Sequence, residues 1–235
     1  MKLFRKKSLN RIAKENRKKI SYKYIKGEGI EIGALHTSMP ISKNAKTKFV
    51  DRLSYEDYLK QYPELKGKKL IKPDIVSNAE TLEKVRNESQ DYIIACHVLE
   101  HFENPILAIN NFYRVLKNGG IAYIIVPDKN FCFDKNRELT KFEDIVSDYQ
   151  NGGKTSRKEH YRDWLLNVEN LTDEKEIAKK IEEMDKSDFN IHFHVWDNTS
   201  FLKFLISSFD LLKIKLNIIH YEFNNTESIA ILKKL

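Results

Sequence analysis

At 235 residues, with 41% hydrophobic and 11% aromatic side chains, the chain is long enough for one packed domain with an insertion and too apolar to be disordered. The formal charge of +7 is unevenly held: ten of 41 basic but only one of 34 acidic side chains fall in residues 1–24, leaving 31 basic and 33 acidic for the rest. A body so close to neutral has no basic face for nucleic acid, and no apolar run reaches the roughly 18 residues of a transmembrane helix.

Residues 1–24 show a weak helical apolar pattern (Leu9, Ile12, Ala13, Ile20) and read as a basic helical extension packed loosely on a domain of residues 25–235. Such an arm also suits a phosphate-bearing substrate, an anionic membrane surface or a partner. It lacks the apolar stretch of a secretory signal, and Cys96 and Cys132 make no CxxC pair, so a reducing, cytoplasmic location is expected. Strand-like and helix-like segments then alternate, which predicts an α/β fold with a parallel sheet. The strands are expected at 29–32, 48–51, 70–75, 91–97 and 121–128, and the helices at 55–65, 79–87 and 105–120. The last of these helices is expected to end on the Gly119-Gly120 pair. Residues 129–190 break the rhythm as a polar insertion or lid with helices near 140–150, 156–168 and 172–186. A helix at 197–208, capped by Asp197, and an antiparallel hairpin of 211–223 with 228–234 close the chain.

The loop GEGIEIGALHTSMP, residues 27–40, starts like a dinucleotide loop, but Leu35 stands where a further glycine is needed. Taken in order, Glu31-Ile32-Gly33-Ala34, KFVD ending in Asp51, PDI with Asp74, QDYIIACHVLEHFENP and RVLKNGGIAYIIVPD resemble a class I S-adenosylmethionine-dependent methyltransferase over residues 27–128 and again over 190–235. The VDR, PDK and HFHVW segments are similar to those of methyltransferases of polysaccharide, capsule and O-antigen synthesis. The resemblance implies a Rossmann-like, mostly parallel seven-stranded sheet with an antiparallel C-terminal hairpin and a helical insertion after strand 5. It also implies S-adenosylmethionine as cofactor, and this explains the missing glycines: the sulfonium donor has no pyrophosphate for a glycine-rich backbone to approach. Glu31, Gly33 and Ala34 then lie near its methionine part, Asp51 with Arg52 near the ribose, Asp74 and Ile75 near the adenine, and Cys96 and His97 beneath it.

Methyl transfer needs an aligned nucleophile and, for a hydroxyl, a base, which a neutral histidine supplies near neutral pH. His97 and His101 bracket the strand-4 exit, and His192 and His194 lie in IHFHVW. His97 or His194 is expected as the base, with Asp128 orienting the acceptor and His101, His160, Tyr161, His192 and Lys129 binding it. Convergence of these histidines with Asp128 and Asp134 on a divalent ion is an alternative, although no tight ligand spacing assigns a metal. Lys154, Arg157, Lys158, Arg162, Tyr161 and Trp164 suit a phosphate-bearing sugar or glycan acceptor, or equally a solvated helical cover. The function expected is O-methylation of a saccharide or related polar metabolite. N-methylation and a non-catalytic cofactor-binding scaffold are the rivals. Ala95-Cys96-His97-Val98 stands where a nucleic-acid methyltransferase would carry an NPPY-like tetrapeptide.

Overall fold

The computed structural model describes residues 2–61, 65–153 and 156–235. Seven strands form one sheet: β1 (Gly27–Ile32), β2 (Ala45–Asp51), β3 (Ile75–Val76), β4 (Gln90–Cys96), β5 (Leu116–Pro127), β6 (Leu216–Phe223) and β7 (Glu227–Lys234). Their order is β3-β2-β1-β4-β5-β7-β6, with every pair from β3 to β5 parallel and β7 antiparallel to both of its neighbours. This is a Rossmann-like, doubly wound sheet closed by an antiparallel C-terminal hairpin. The order in which strands are added reverses between the parallel neighbours β1 and β4, so the crevice beyond their carboxyl ends is the place where such a sheet takes its ligand.

Alternation along the strands splits the core into two layers. Ile93, Ala95, Ala122, Ile124 and Val126 face the helices α3 (Pro105–Val115) and α7 (Asn198–Leu212). Tyr92, Ile94, Tyr123 and Ile125 face the opposite side, where Ile20 of α1 (Lys2–Tyr24) and Met39 cover them. Helix α1 is therefore not a loosely attached arm: Ala13, Ile20 and Ser21 are buried, and Tyr123 Oη donates to the Arg17 carbonyl at 3.1 Å. Among the described residues no helix is long and apolar enough to cross a membrane.

Local sequence accounts for most elements. Asn104 caps α3 by accepting from Leu107 N at 3.0 Å, Pro105 sits in the first turn, and Ile106, Ile109 and Phe112 bury one stripe. Asp197 and Ser200 form a reciprocal capping box on α7. The insertion contains α4 (Phe142–Asn151), α5 (Arg157–Asn167) and α6 (Glu174–Lys186), and Tyr161, Leu165, Ile177 and Phe193 give it a small core of its own.

Four expected elements differ. Helix α3 stops at Val115, and Lys117–Gly120 bulge out of β5, whose pairing with β4 jumps from Leu116 to Ile121. Residues 79–87 form turns, not a helix: the guanidinium of Arg114 donates to the carbonyls of Thr81, Leu82 and Val85 at 2.9–3.1 Å and takes acceptors a helix would use internally. The strand expected at 70–75 shrinks to Ile75–Val76, and of the helix expected at 55–65 only α2 (Tyr58–Gln61) forms, residues 62–64 lying outside the described residues.

Candidate active site

The exit of β1 turns at Gly33, whose φ is +67° and where a Cβ would lie 3.0 Å from Val98 Cγ2. Only glycine takes this turn without strain, and Ala34 then closes it by accepting from Thr37 N at 2.8 Å. The loop folds back so that Met39 N donates to Glu31 Oε1 at 2.8 Å. Glu31 Oε2 is buried with no partner, and burial, partly offset by the Met39 bond, pushes the carboxyl up to about 7. An orphaned carboxylate oxygen beside a glycine turn fits a ligand that carries a cationic amino group and no phosphate.

Asp51 ends β2 nearly buried and accepts from Leu53 N at 3.0 Å; burial raises its pKa against that bond. Arg52 beside it is paired with Asp188 at the end of the insertion. Asp74 does not reach the rim. It precedes β3, and its carboxylate accepts from Phe49 N at 2.7 Å, so it serves the β2–β3 ladder. Ile75 is likewise a ladder residue, paired with Val50. Beyond β3 follow Ser77 and Asn78, neither of them among the expected cofactor residues; Asn78 Oδ1 accepts from Glu80 N at 2.7 Å. Cys96 lies at the end of β4, where burial pushes the thiol up to about 12 and leaves it inert.

His97 follows immediately with φ +55°, a left-handed conformation that histidine tolerates better than most side chains. Its backbone N donates to Ile125 O at 2.9 Å, and its side chain remains 36% exposed at the crevice. Glu227, at the start of β7, lies 2.9 Å from Nε2, and Glu100 Oε1 lies 3.5 Å from Nδ1. Burial disfavours the imidazolium, but the bonds to Glu100 and Glu227 outweigh it and carry the pKa up to about 9. Protonated His97 thus donates from Nε2 to Glu227. Arg17 Nη2 is 2.8 Å from the same nitrogen, but its bonds go to Glu227, which accepts from Nε at 2.7 Å. Despite its burial, Glu227 is held at about 2 by these two cations. Arg17 and Glu227 reach His97 from opposite ends of the chain, and neither was marked by a motif; for Glu100 the only signal was its place inside HVLEH.

The other histidines do not join His97 around one point. His101 Nδ1 donates to Ile191 O at 2.9 Å, its ring 4.6 Å from that of His192, and burial lowers its pKa. His192 Nδ1 is 2.6 Å from Asp134 Oδ2, and Asp134 also pairs with the buried Arg137. His194 is 1% exposed, stacks on Trp196, and burial pushes its pKa down, so it is neutral but closed off from the crevice. It lies beside Asp148 and His160 instead.

Asp128 does not face the histidines either. Its Oδ1 accepts from Asn130 N at 2.9 Å and its Oδ2 from Asn198 N at 3.0 Å, which ties the start of the insertion to the start of α7. A metal bridging Asp128 and the histidines therefore has no basis in the geometry. Lys129 Nζ donates to Arg137 O. Tyr161 is buried and donates to Phe189 O at 2.9 Å. The insertion's Arg157, Lys158 and Arg162 are engaged by carboxylates, Arg157 with Glu103 of the main body and with Asp188, Lys158 with Glu182 and Arg162 with Glu174; Lys154 lies outside the described residues. What the rim does present is aromatic: Phe131, Phe133 and Phe223 are 55%, 49% and 42% exposed. Phe131 packs on Phe223 with centroids 5.7 Å apart, and Phe133 lies 4.5 Å from the His192 ring.

Comparison with known proteins agrees with this layout. Residues 23–124 match the family described as "Methyltransferase domain". Among solved structures, a Thermotoga maritima protein titled a possible histamine N-methyltransferase is similar at 12% identity and TM-score 0.51, covering 100% of this chain and 95% of its own. The PH0226 protein of Pyrococcus horikoshii is similar at 15% identity and TM-score 0.50, covering 96% of this chain and 90% of its own. No curated protein sequence matches the chain significantly. The solved structures share the fold, and residues 23–124 carry the matched methyltransferase domain.

Proposed function

We propose that the protein is an O-methyltransferase acting on a saccharide, as a sugar nucleotide, phosphorylated sugar or glycan, in cell-surface polysaccharide synthesis, with His97 as the group that takes the acceptor proton. The observation that carries the mechanism is the half-exposed His97 at the sheet's reversal point, next to the Gly33 turn and bonded to Glu227. Bound S-adenosylmethionine supplies a methyl group on a good leaving group. Glu31 with the Gly33–Ala34 turn receives its cationic amino-acid end, Asp51 its ribose hydroxyls, and the Ser77–Asn78 rim its base.

As pH rises toward 9 His97 loses its extra proton; an acceptor hydroxyl would then replace Glu227 at Nε2, and its proton would pass to the freed Nε2 lone pair as the oxygen is methylated. Arg17 and Glu227 then hold the imidazolium and its charge in place. Carbohydrate fits the remaining surface: exposed Phe131 and Phe133 offer flat faces for a sugar ring or a nucleobase, and the resemblance of the VDR, PDK and HFHVW segments points to the same acceptors. In this reading residues 25–235 are the methyltransferase domain, residues 129–190 its acceptor-side lid, and residues 1–24 a helical extension. That extension completes the site through Arg17 and leaves exposed Lys14, Lys18 and Lys19 for anionic surfaces. The enzyme works in the cytoplasm.

Incubation with S-adenosylmethionine and a panel of sugar nucleotides, phosphorylated sugars and glycan fragments tests the proposal. A product heavier by one methylene, with the methyl on oxygen by NMR, is the expected result. Transfer confined to amines would replace this reading with N-methylation.

A further inference from the structure

A second cluster of ionisable side chains lies where the insertion meets the main body. Asp148 sits on α4, whose Ile145 belongs to the large core. His160 sits on α5, next to Tyr161 of the insertion's own core. His194 lies on the returning segment between Phe193 of the small core and Trp196 of the large one. We infer that Asp148, His160 and His194 form a divalent transition-metal site, suited to Zn²⁺, that pins the insertion to the methyltransferase body.

One ligand atom from each of the three lies within 4.8 Å of the other two. Two polar atoms of this cluster, Asp148 Oδ2 and His194 Nδ1, are buried without a hydrogen-bond partner. Burying unpartnered polar atoms is unfavourable, and here two belong to one cluster of three potential ligands. The far sides of Asp148 and His194 are already held, as metal ligands require. Asp148 Oδ1 accepts from Ser156 Oγ, and His194 Nε2 donates to Glu103 O at 3.3 Å, which leaves the Nδ1 lone pair free to bind. His160 Nε2 is 3.5 Å from Asp148 Oδ2, too long to satisfy that oxygen well. Two imidazoles and a carboxylate are a zinc-type donor set with a fourth position for water, and small side-chain rotations bring them to the about 3.3 Å separations of a tetrahedral site. The donors come from three elements, so the ion acts as a cross-link between the two cores.

The test uses the full chain, stripped with a chelator and titrated with Zn²⁺ alone. One ion per chain by calorimetry and elemental analysis is expected, with a rise in melting temperature and, on Co²⁺ substitution, the visible bands of a four-coordinate site. Asp148→Asn and His160→Asn should each weaken binding at least tenfold. His194→Asn removes a fully buried ring, so His160→Asn, which melts close to the wild type without metal, is the decisive variant. Absence of stoichiometric binding overturns the inference. So does affinity unchanged in both the Asp148 and His160 variants, or lost only in His101→Asn, which would place the ion in the neighbouring Glu100–His101–His192 cluster.

Discussion

The histidine at the rim and the histidine at the seam have the same side chain and opposite electrostatics. His97 lies at an open crevice between two carboxylates, and its bonds to them outweigh burial and hold a proton on the ring. His194 lies in a closed layer of aromatics, where burial dominates and keeps the ring neutral. Residue type alone says nothing about which is a proton carrier and which is a ligand or packing group. The partners that decide it, Glu227 and Arg17 for one and Asp148 and His160 for the other, lie far away in sequence.

The contrast breaks most visibly in rates. His97→Asn, which keeps a residue able to adopt φ above zero, should lower kcat about 10²–10⁴-fold while S-adenosylmethionine affinity by calorimetry stays near the wild type. His194→Asn should act on stability instead, by about 1–3 kcal/mol in denaturant unfolding. The reverse outcome would exchange the two roles.

Next in size is Arg137, 1% exposed and paired with buried Asp134 and with Asp163. Arg137→Met leaves Asp134 charged, buried and short of a partner, and should destabilise the fold by about 3–5 kcal/mol in chemical denaturation.

Cofactor binding sharpens the comparison with a third titrating group. With Glu31 raised to about 7, S-adenosylmethionine affinity should climb as pH rises through 7 and its carboxylate becomes available for a cation; Glu31→Gln should flatten that climb. The linkage runs the other way for the free protein. A carboxyl raised on folding favours the folded state most below its ordinary range, and that advantage is lost as pH rises toward 7. Asp51→Ala should weaken the cofactor about 10–100-fold at every pH, the loss of a charged hydrogen-bond acceptor. The smallest effect is at the α7 cap, where Asp197→Ala should lower stability by about 1 kcal/mol and leave the rim unchanged.

The strand and helix rhythm was legible because it depends on local pattern. β1, β2, β4, the Asp197 cap and the insertion helices lie within a few residues of where periodicity and capping put them. The failures share a cause in distant contacts. Arg114 bonds the turns of 79–87 from about thirty residues away in sequence, and the pairing of Leu116 with Gln90 of β4 ends α3 before the glycine pair. At the site, the Gly33 turn and the His97 exit could be read from neighbours in the chain, whereas Arg17 and Glu227 stand 80 and 130 residues from His97. The misplacement of Asp74 came from expecting a full strand where β3 has two residues, which moved the rim on to Ser77 and Asn78.

NMR titration of the His97 ring in the wild type and in Glu227→Gln measures the rim network most directly. A pKa near 9 that falls when the Glu227 charge is removed is the predicted result, with the rising limb of kcat/KM moving to lower pH alongside it. A wild-type value at or below the ordinary 6.5, indifferent to Glu227, would mean that the carboxylates do not hold a proton on His97 and would contradict the assignment of the rim.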